Sequence, residues 1–290
     1  MKKISYGCMV LVAILLFSAC GNKTAGPKET VVKKEAKQTE AFQPEPTKIS
    51  KQEEVSQDGF SVTCSGISYE DVVTKLNLHI KNDTEEQLHV TTANVAVNGL
   101  MYLGNMFLTV PAKSEADGYV SFSNSWLGEM QIAKIADVEL VIKAHNQMND
   151  EVLVSDVLEF KTDAKGYKQV YDDSGFEIYN DKNIKISARA LKKSELSDDM
   201  ELVFYAENNT NSAITVMSKD VLVNGIPMKP LFVLSVGAGK KAVDTMVFYD
   251  AELKEKNVTG IQTVTAVFKA FNENLETVFE TEILKVPIGL

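Results

Sequence analysis

The chain has 290 residues, 44% apolar and 24% charged, enough for two ordinary domains that each bury a core. Its 40 acidic against 30 basic residues give a formal net charge of −10, which disfavours a nucleic acid partner. Beyond residue 20 no apolar run approaches the ~18 residues of a membrane-spanning helix.

Residues 1–19 read as an export signal. Lys2 and Lys3 make a positive start, and Ile4 to Phe17 form an apolar stretch of 14 residues. As a helix that stretch spans about 21 Å, short of a ~30 Å hydrocarbon core. A basic start and a short apolar run ending in small residues make a leader, not a span. The end reads Leu16-Phe17-Ser18-Ala19-Cys20-Gly21 and resembles the lipobox of bacterial lipoproteins, with Phe17 where that family usually has Leu. The resemblance implies lipid attachment at Cys20 and cleavage before it. The expected location is the cell membrane, lipid-anchored, on the extracytoplasmic face. Cys64 is then the one thiol left in the mature chain, with no internal disulfide to form.

Residues 20–58 show no apolar periodicity and are rich in Lys, Glu, Gln, Thr and Pro. Such a composition predicts a flexible tether, with an r.m.s. reach of roughly 35 Å.

The remainder of the chain is a duplication. Shifted by 126 residues, 76–160 lies over 202–286 without a gap, with 23 identities in 85 pairs. Asn82-Asp83-Thr84 falls on Asn208-Asn209-Thr210, Val97-Asn98-Gly99 on Val223-Asn224-Gly225, and Lys143-Ala144 on Lys269-Ala270. The first strand needs a shift of 124, which places Val62 on Ile186 and Cys64 on Ala188. A position filled by Cys in one copy and Ala in the other predicts a small buried side chain. The expected domains are 59–163 and 164–290.

The repeat reads as strands. Leu76, Leu78 and Ile80 alternate with polar residues, as do Val138, Leu140 and Ile142. Asn82-Asp83-Thr84, Asn98-Gly99 and Pro111-Ala112-Lys113-Ser114 supply turns. In copy one, strands are predicted over 60–67, 75–82, 87–97, 101–110, 118–123, 138–146 and 152–162, with a helical turn within 125–134. About seven short strands in this length predict an all-β fold, two tandem antiparallel β-sandwiches. Between the copies, Tyr167, Val170, Tyr171, Phe176, Ile178 and Tyr179 are too apolar for a free linker, so part of that segment is expected to pack.

Three features together resemble the tandem immunoglobulin-like domains of unknown function found in Gram-positive surface lipoproteins. They are a strand ending in Asn-x-Thr (Asn82, Asn208), the Val-Asn-Gly turn, and an apolar strand opening after Ile135 or Ile261. The resemblance covers nearly all of 59–163 and 175–290. It implies an Ig-like sandwich and no assigned reaction.

The residues offer little catalytic chemistry. His79, His89 and His145 lie in copy one and match Tyr205, Thr215 and Phe271 in copy two. If the strands flanking the 82–86 turn pair directly, His79 and His89 come together, though two His fall short of a closed zinc site, and two unrelated surface histidines is the preferred reading. Gly237-Ala238-Gly239-Lys240 lacks the first glycine of a phosphate-binding loop, and position 234 is Leu. Glu85-Glu86 and Asp172-Asp173 read as solvated loop charge rather than calcium ligands. No cofactor or metal is expected, and no enzymatic activity. Trp126, the only Trp, matches Glu252, which points to an exposed position; the alternative is a Trp lying over the end of its own sandwich. With Tyr102 it is the candidate binding surface. The expected role is non-enzymatic binding or assembly on a protein or cell-wall partner outside the membrane. The alternative is a ligand- or environment-sensing accessory of a membrane protein complex.

Overall fold

The computed structural model describes residues 42–51, 54–164 and 166–288. The expected signal, the Cys20 lipidation site and the tether up to residue 41 lie outside them.

Up to residue 162 the elements are β1 (Ile49–Lys51), β2 (Glu54–Gln57), β3 (Phe60–Tyr69), β4 (Val73–Asn82), β5 (Leu88–Val97), β6 (Leu100–Met101), β7 (Phe107–Val110), β8 (Ser114–Ser123), α1 (Asn124–Glu129), β9 (Asp137–His145), β10 (Glu151–Val154) and β11 (Leu158–Thr162). From residue 176 the same series recurs. It runs β12 (Phe176–Asp181), β13 (Ile184–Lys193), β14 (Met200–Asn208), β15 (Ile214–Val223), β16 (Ile226–Pro227), β17 (Val233–Val236), β18 (Lys240–Phe248), α2 (Asp250–Glu255), β19 (Thr263–Asn272), β20 (Thr277–Glu280) and β21 (Leu284–Pro287). The molecule is an all-β sandwich fold of antiparallel sheets.

In the first half, β2-β3-β4-β8 form one sheet, and β1-β11-β9-β5 face them as part of another. In the second half, β12-β13-β14-β18 face β16-β15-β19-β20. Period-two alternation turns Leu76, Leu78 and Ile80 inward from β4, and Leu202, Phe204 and Ala206 from β14. Two separate apolar cores result. One gathers around Phe122, Phe160 and Leu76, the other around Phe204, Phe248 and Phe268.

The two alignment shifts are visible in the strand register. Cys64 pairs with Leu78 and Ala188 with Phe204, so the 124 shift of the first strand meets the 126 shift of the second. A bulge follows each, between Cys64 and Gly66 and between Ala188 and Ala190. Cys64 is fully buried, and burial raises its thiol pKa, so the reactive thiolate is disfavoured.

The motifs shared by the copies are polar clamps. Asn82 is fully buried at the end of β4, where the chain crosses from one sheet to the other. Its Nδ2 donates to the carbonyls of Glu86 (2.8 Å), Val110 (3.1 Å) and Pro111 (3.0 Å). Its Oδ1 accepts from the N–H (3.0 Å) and hydroxyl (2.7 Å) of Thr84. Asn208 repeats this with Ser212 (2.8 Å), Val236 (3.1 Å), Gly237 (3.1 Å) and Thr210 (3.1 and 2.7 Å). The Asn-x-Thr pattern is thus required because one amide satisfies carbonyls that two sheets leave behind.

Asn98-Gly99 turns β5 into β6 with φ of 51° and 79°, the positive values that a two-residue hairpin demands. Asn98 Nδ2 donates to Lys134 O (2.7 Å) and its Oδ1 accepts from Ala136 N (2.8 Å), which positions β9. Asn224 binds Gly260 O (2.7 Å) and Gln262 N (2.9 Å) in the same way.

Residues 42–57 differ from expectation. Composition predicts a tether running to 58, yet β1 pairs with β11 and β2 with β3. Thr47 is buried, its hydroxyl 2.8 Å from the Tyr69 hydroxyl and donating to Ile135 O at 3.1 Å. Only Ile49 and Val55 carry an apolar signal in these two strands, too little to stand out from a polar background.

Candidate binding surface

Trp126 and Tyr102 are brought together, with ring centroids 4.6 Å apart and tilted by 58°. Tyr102 also leans on Phe122 at 5.3 Å, and its hydroxyl accepts a long bond from Ser123 N (3.4 Å). Both rings are half-buried and pack on the edge of the first core. The expectation of an exposed Trp126 is therefore corrected. It assumes that a position holding Glu in the other copy must face water. Glu252 is only 17% exposed there, paired with Lys256 (2.7 Å) and accepting from Lys229 N–H (3.2 Å). Those bonds, the Lys256 ammonium first, hold its carboxyl below the ordinary range. The site is one structural position capped by an indole in one half and an ion pair in the other.

His79 and His89 do not come together, in line with the reading of two unrelated surface histidines. β4 and β5 belong to opposite sheets, because the 82–88 segment crosses the sandwich rather than closing a hairpin. His79 instead pairs with Asp117 (2.8 Å) and lies 3.6 Å from Glu115. The Asp117 bond raises its imidazole pKa. His89 lies opposite His145 in the β5–β9 register, bonded to Thr109 (3.0 Å) and stacked on Phe107 at 5.7 Å. Sequence spacing could not reveal that pairing, since it depends on which strands become neighbours. Among the described residues, no group of three or more His, Cys, Asp or Glu is placed to hold a metal ion.

The remaining charged motifs are structural. Asp172 pairs with Arg189 and Asp173 with Lys185. Bonds from Ser174 and Arg189 pull Asp172 down to about 2. Gly237 to Lys240 form a turn between β17 and β18, and Lys240 reaches Glu139 of the other half.

That last contact belongs to a seam the sequence only hinted at. β6 lies parallel to β18, and Lys241 N donates to Gly99 O at 2.9 Å. The Tyr171 hydroxyl donates to Val97 O and Asn98 O at 3.2 Å each. Lys192 pairs with Glu129 at 2.7 Å. The Asn98-Gly99 turn thus serves twice, closing its own hairpin and docking against β18. The expected packing of 164–183 is carried chiefly by Tyr171 and by β12, whereas Val170 is 81% exposed. No helix among the described residues is long and apolar enough to cross a membrane.

No family model matches the chain, and no curated protein matches it. Among solved structures, red sea bream transglutaminase is similar over 81% of this chain and 32% of its own, at 7% identity and a TM-score of 0.23. The Amycolatopsis orientalis exo-chitosanase CsxA matches over 73% and 25%, at 15% identity and 0.23. The Salmonella enterica SafA pilin in complex with the SafB chaperone matches over 72% and 89%, at 14% and 0.21. The chain spans about a third of the transglutaminase and a quarter of the chitosanase. Likenesses this remote transfer neither activity nor partner.

Proposed function

We propose that the chain is a lipid-anchored extracytoplasmic protein that works by binding or assembly rather than by catalysis. In this reading a diacylated or palmitate-bearing Cys20 holds two Ig-like modules outside the membrane, as in Gram-positive surface lipoproteins, and they present a surface to a protein or cell-wall partner. The Lys2-Lys3 start, the apolar run and the Cys20 context support the anchor. The observation that carries the binding role is the contrast between the copies. What repeats between them, Asn82 with Asn208 and Asn98 with Asn224, is explained by folding alone. The differences include rim positions, Trp126 against Glu252 and Asp58 against Lys182. The seam at Tyr171, Lys240 and Lys241 holds those rims in one arrangement, the preorganisation that favours affinity.

Metabolic labelling with a palmitate analogue should mark the wild-type chain and leave Cys20→Ala unlabelled. Cross-linking on intact cells should then recover a discrete partner with wild type. Hydrolysis of wall polymer or peptide by the purified chain, abolished by one point substitution, would overturn the reading.

A further inference from the structure

The second half contains a plug that the first half lacks. In β12 the Tyr179 ring stacks on Phe279 of β20 at 3.8 Å, almost parallel. Three residues on, Lys182 Nζ donates to Val278 O at 3.3 Å. An aromatic ring and an ammonium thus close the gap between the β12–β13 turn and β20.

The strand pairings around that gap correspond in the two halves, except that β12 bulges between Glu177 and Tyr179. Val55 pairs with Val62 as Tyr179 pairs with Ile186, and Leu153 pairs with Ala144 as Phe279 pairs with Ala270. The turns match as well, with positive φ at Asp58 and Gly59 and at Lys182 and Asn183. The side chains at these matched positions differ. Val55 stands where Tyr179 stands, Leu153 where Phe279 stands, and Asp58 where Lys182 stands. Leu153 is shorter than Phe279, and the Asp58 carboxylate cannot donate to a carbonyl. A groove of about 310 Å³ remains, at the lower end of the ~300–1,000 Å³ typical of ligand sites. Its floor is Phe60, Leu88, Ala144 and Leu153, its wall the half-exposed Val152, and its rim Asp58, Glu85 and Glu86. Lys113 pairs with Glu85, so the rim carries about two negative charges net.

We propose that this groove docks a partner protein segment bearing an aromatic side chain with a Lys or Arg about three residues after it. The segment would take the place that Tyr179 and Lys182 fill in the second half. The inference rests on the binding role proposed above and specifies the partner's chemistry. An apolar floor rewards a buried ring, and the acidic rim selects the cation and repels acidic segments.

The test uses the full-length chain and a fluorescent peptide based on residues 177–184 with Glu177→Gln and Asp181→Asn, Gln-Ile-Tyr-Asn-Asn-Lys-Asn-Ile, which leaves Lys182 as its one side-chain charge. Wild type should bind it, and binding should weaken about tenfold or more with Leu153→Phe, which places a ring in the groove lining, and with Asp58→Lys, which reverses an exposed turn charge. A peptide carrying Lys182→Glu should bind Asp58→Lys better than wild type. Equal binding by wild type and both variants, or none by wild type, would overturn the proposal. So would tight binding of a ring-free peptide carrying Tyr179→Ala, or of a small aromatic cation with no peptide. On cells, a partner recovered equally with wild type and Leu153→Phe would remove the groove and leave the binding role standing. No partner with wild type would remove the binding role itself. Trp126 fluorescence and a thermal melt check that both variants fold.

Discussion

The two halves of this chain solve one folding problem with the same polar clamps and then part company at their rims. Asn82 and Asn208 make the same five bonds within a tenth of an ångström, although the apolar residues around them have changed. A core tolerates exchange of hydrophobic shapes if volume is kept, whereas a buried amide with fixed partners has no substitute. The rims answer to no such constraint. Phe279 and Tyr179 stack on each other in one half, whereas Leu153, the counterpart of Phe279, lines an open groove in the other.

The comparison breaks first, if it breaks, at the clamps. Asn82→Ala and Asn208→Ala each strand several buried carbonyls, and each should cost about 3–4 kcal/mol. Urea unfolding measures this, with Trp126 fluorescence reporting the first half and circular dichroism the whole. A site that accepts Ala within about 1 kcal/mol would show that the two clamps are not equivalent.

The position shared by Trp126 and Glu252 sharpens the contrast, because one fold is capped there by different forces. Trp126→Ala should lose about 2 kcal/mol of packing at any pH between 3 and 8. Glu252→Ala should lose about 1 kcal/mol at neutral pH, and less in acid. The sign follows from its lowered carboxyl pKa. The folded state favours the charged form, so its contribution is present above the unfolded value of ~4.3 and fades as pH falls through the lower folded value. A Glu252→Ala loss independent of pH would mean that the ion pair contributes nothing.

The seam is next in size. Tyr171→Phe removes two hydroxyl contacts to Val97 and Asn98 and should cost about 1 kcal/mol. Its more telling effect is on cooperativity. Trp126 fluorescence and circular dichroism should follow one transition in wild type and separate in the variant. Coincident transitions in both would place the coupling elsewhere, for example in the Lys240–Glu139 pair.

Much of this architecture was legible in the residues, and the reason is specific. Period-two alternation marked β4 and β9, and turn chemistry at Asn82 and Asn98 marked the ends of β4 and β5, since both are local signals. The duplication acted as a second reading of each strand, and it placed Cys64 in the core by setting it against Ala188. The failures were non-local. Strands β1 and β2 lie in a polar stretch whose order comes from partners more than 100 residues away for β1. Whether His79 and His89 are neighbours stayed open, because sequence cannot say whether a turn closes a hairpin or crosses between sheets. The Trp126 error had another source, since a charge held by bonds can occupy a sheltered position that free charge would avoid. The rim groove was invisible for the same non-local reason. It emerges only when Val55, Asp58 and Leu153 are set in space against Tyr179, Lys182 and Phe279.

The smallest effect concerns a pair of positions in the matching strands β8 and β18. Gly118 leaves room for the Met106 sulfur, which an added Cβ would meet at 2.6 Å. Its counterpart Asp244 is half-buried, accepting from Thr245 N–H at 2.7 Å, and burial raises its carboxyl pKa. A carboxyl raised on folding binds its proton more tightly in the native state, so stability is greatest below the unfolded value of ~3.9 and declines as pH rises through the folded value. At neutral pH the native state therefore carries an unfavourable charge. Asp244→Asn keeps an oxygen for the Thr245 N–H and removes that charge. It should raise the melting temperature slightly at pH 7 and leave it unchanged near pH 3. A loss of stability at pH 7 would mean that the Asp244 carboxylate is held by a favourable charge contact that outweighs its burial.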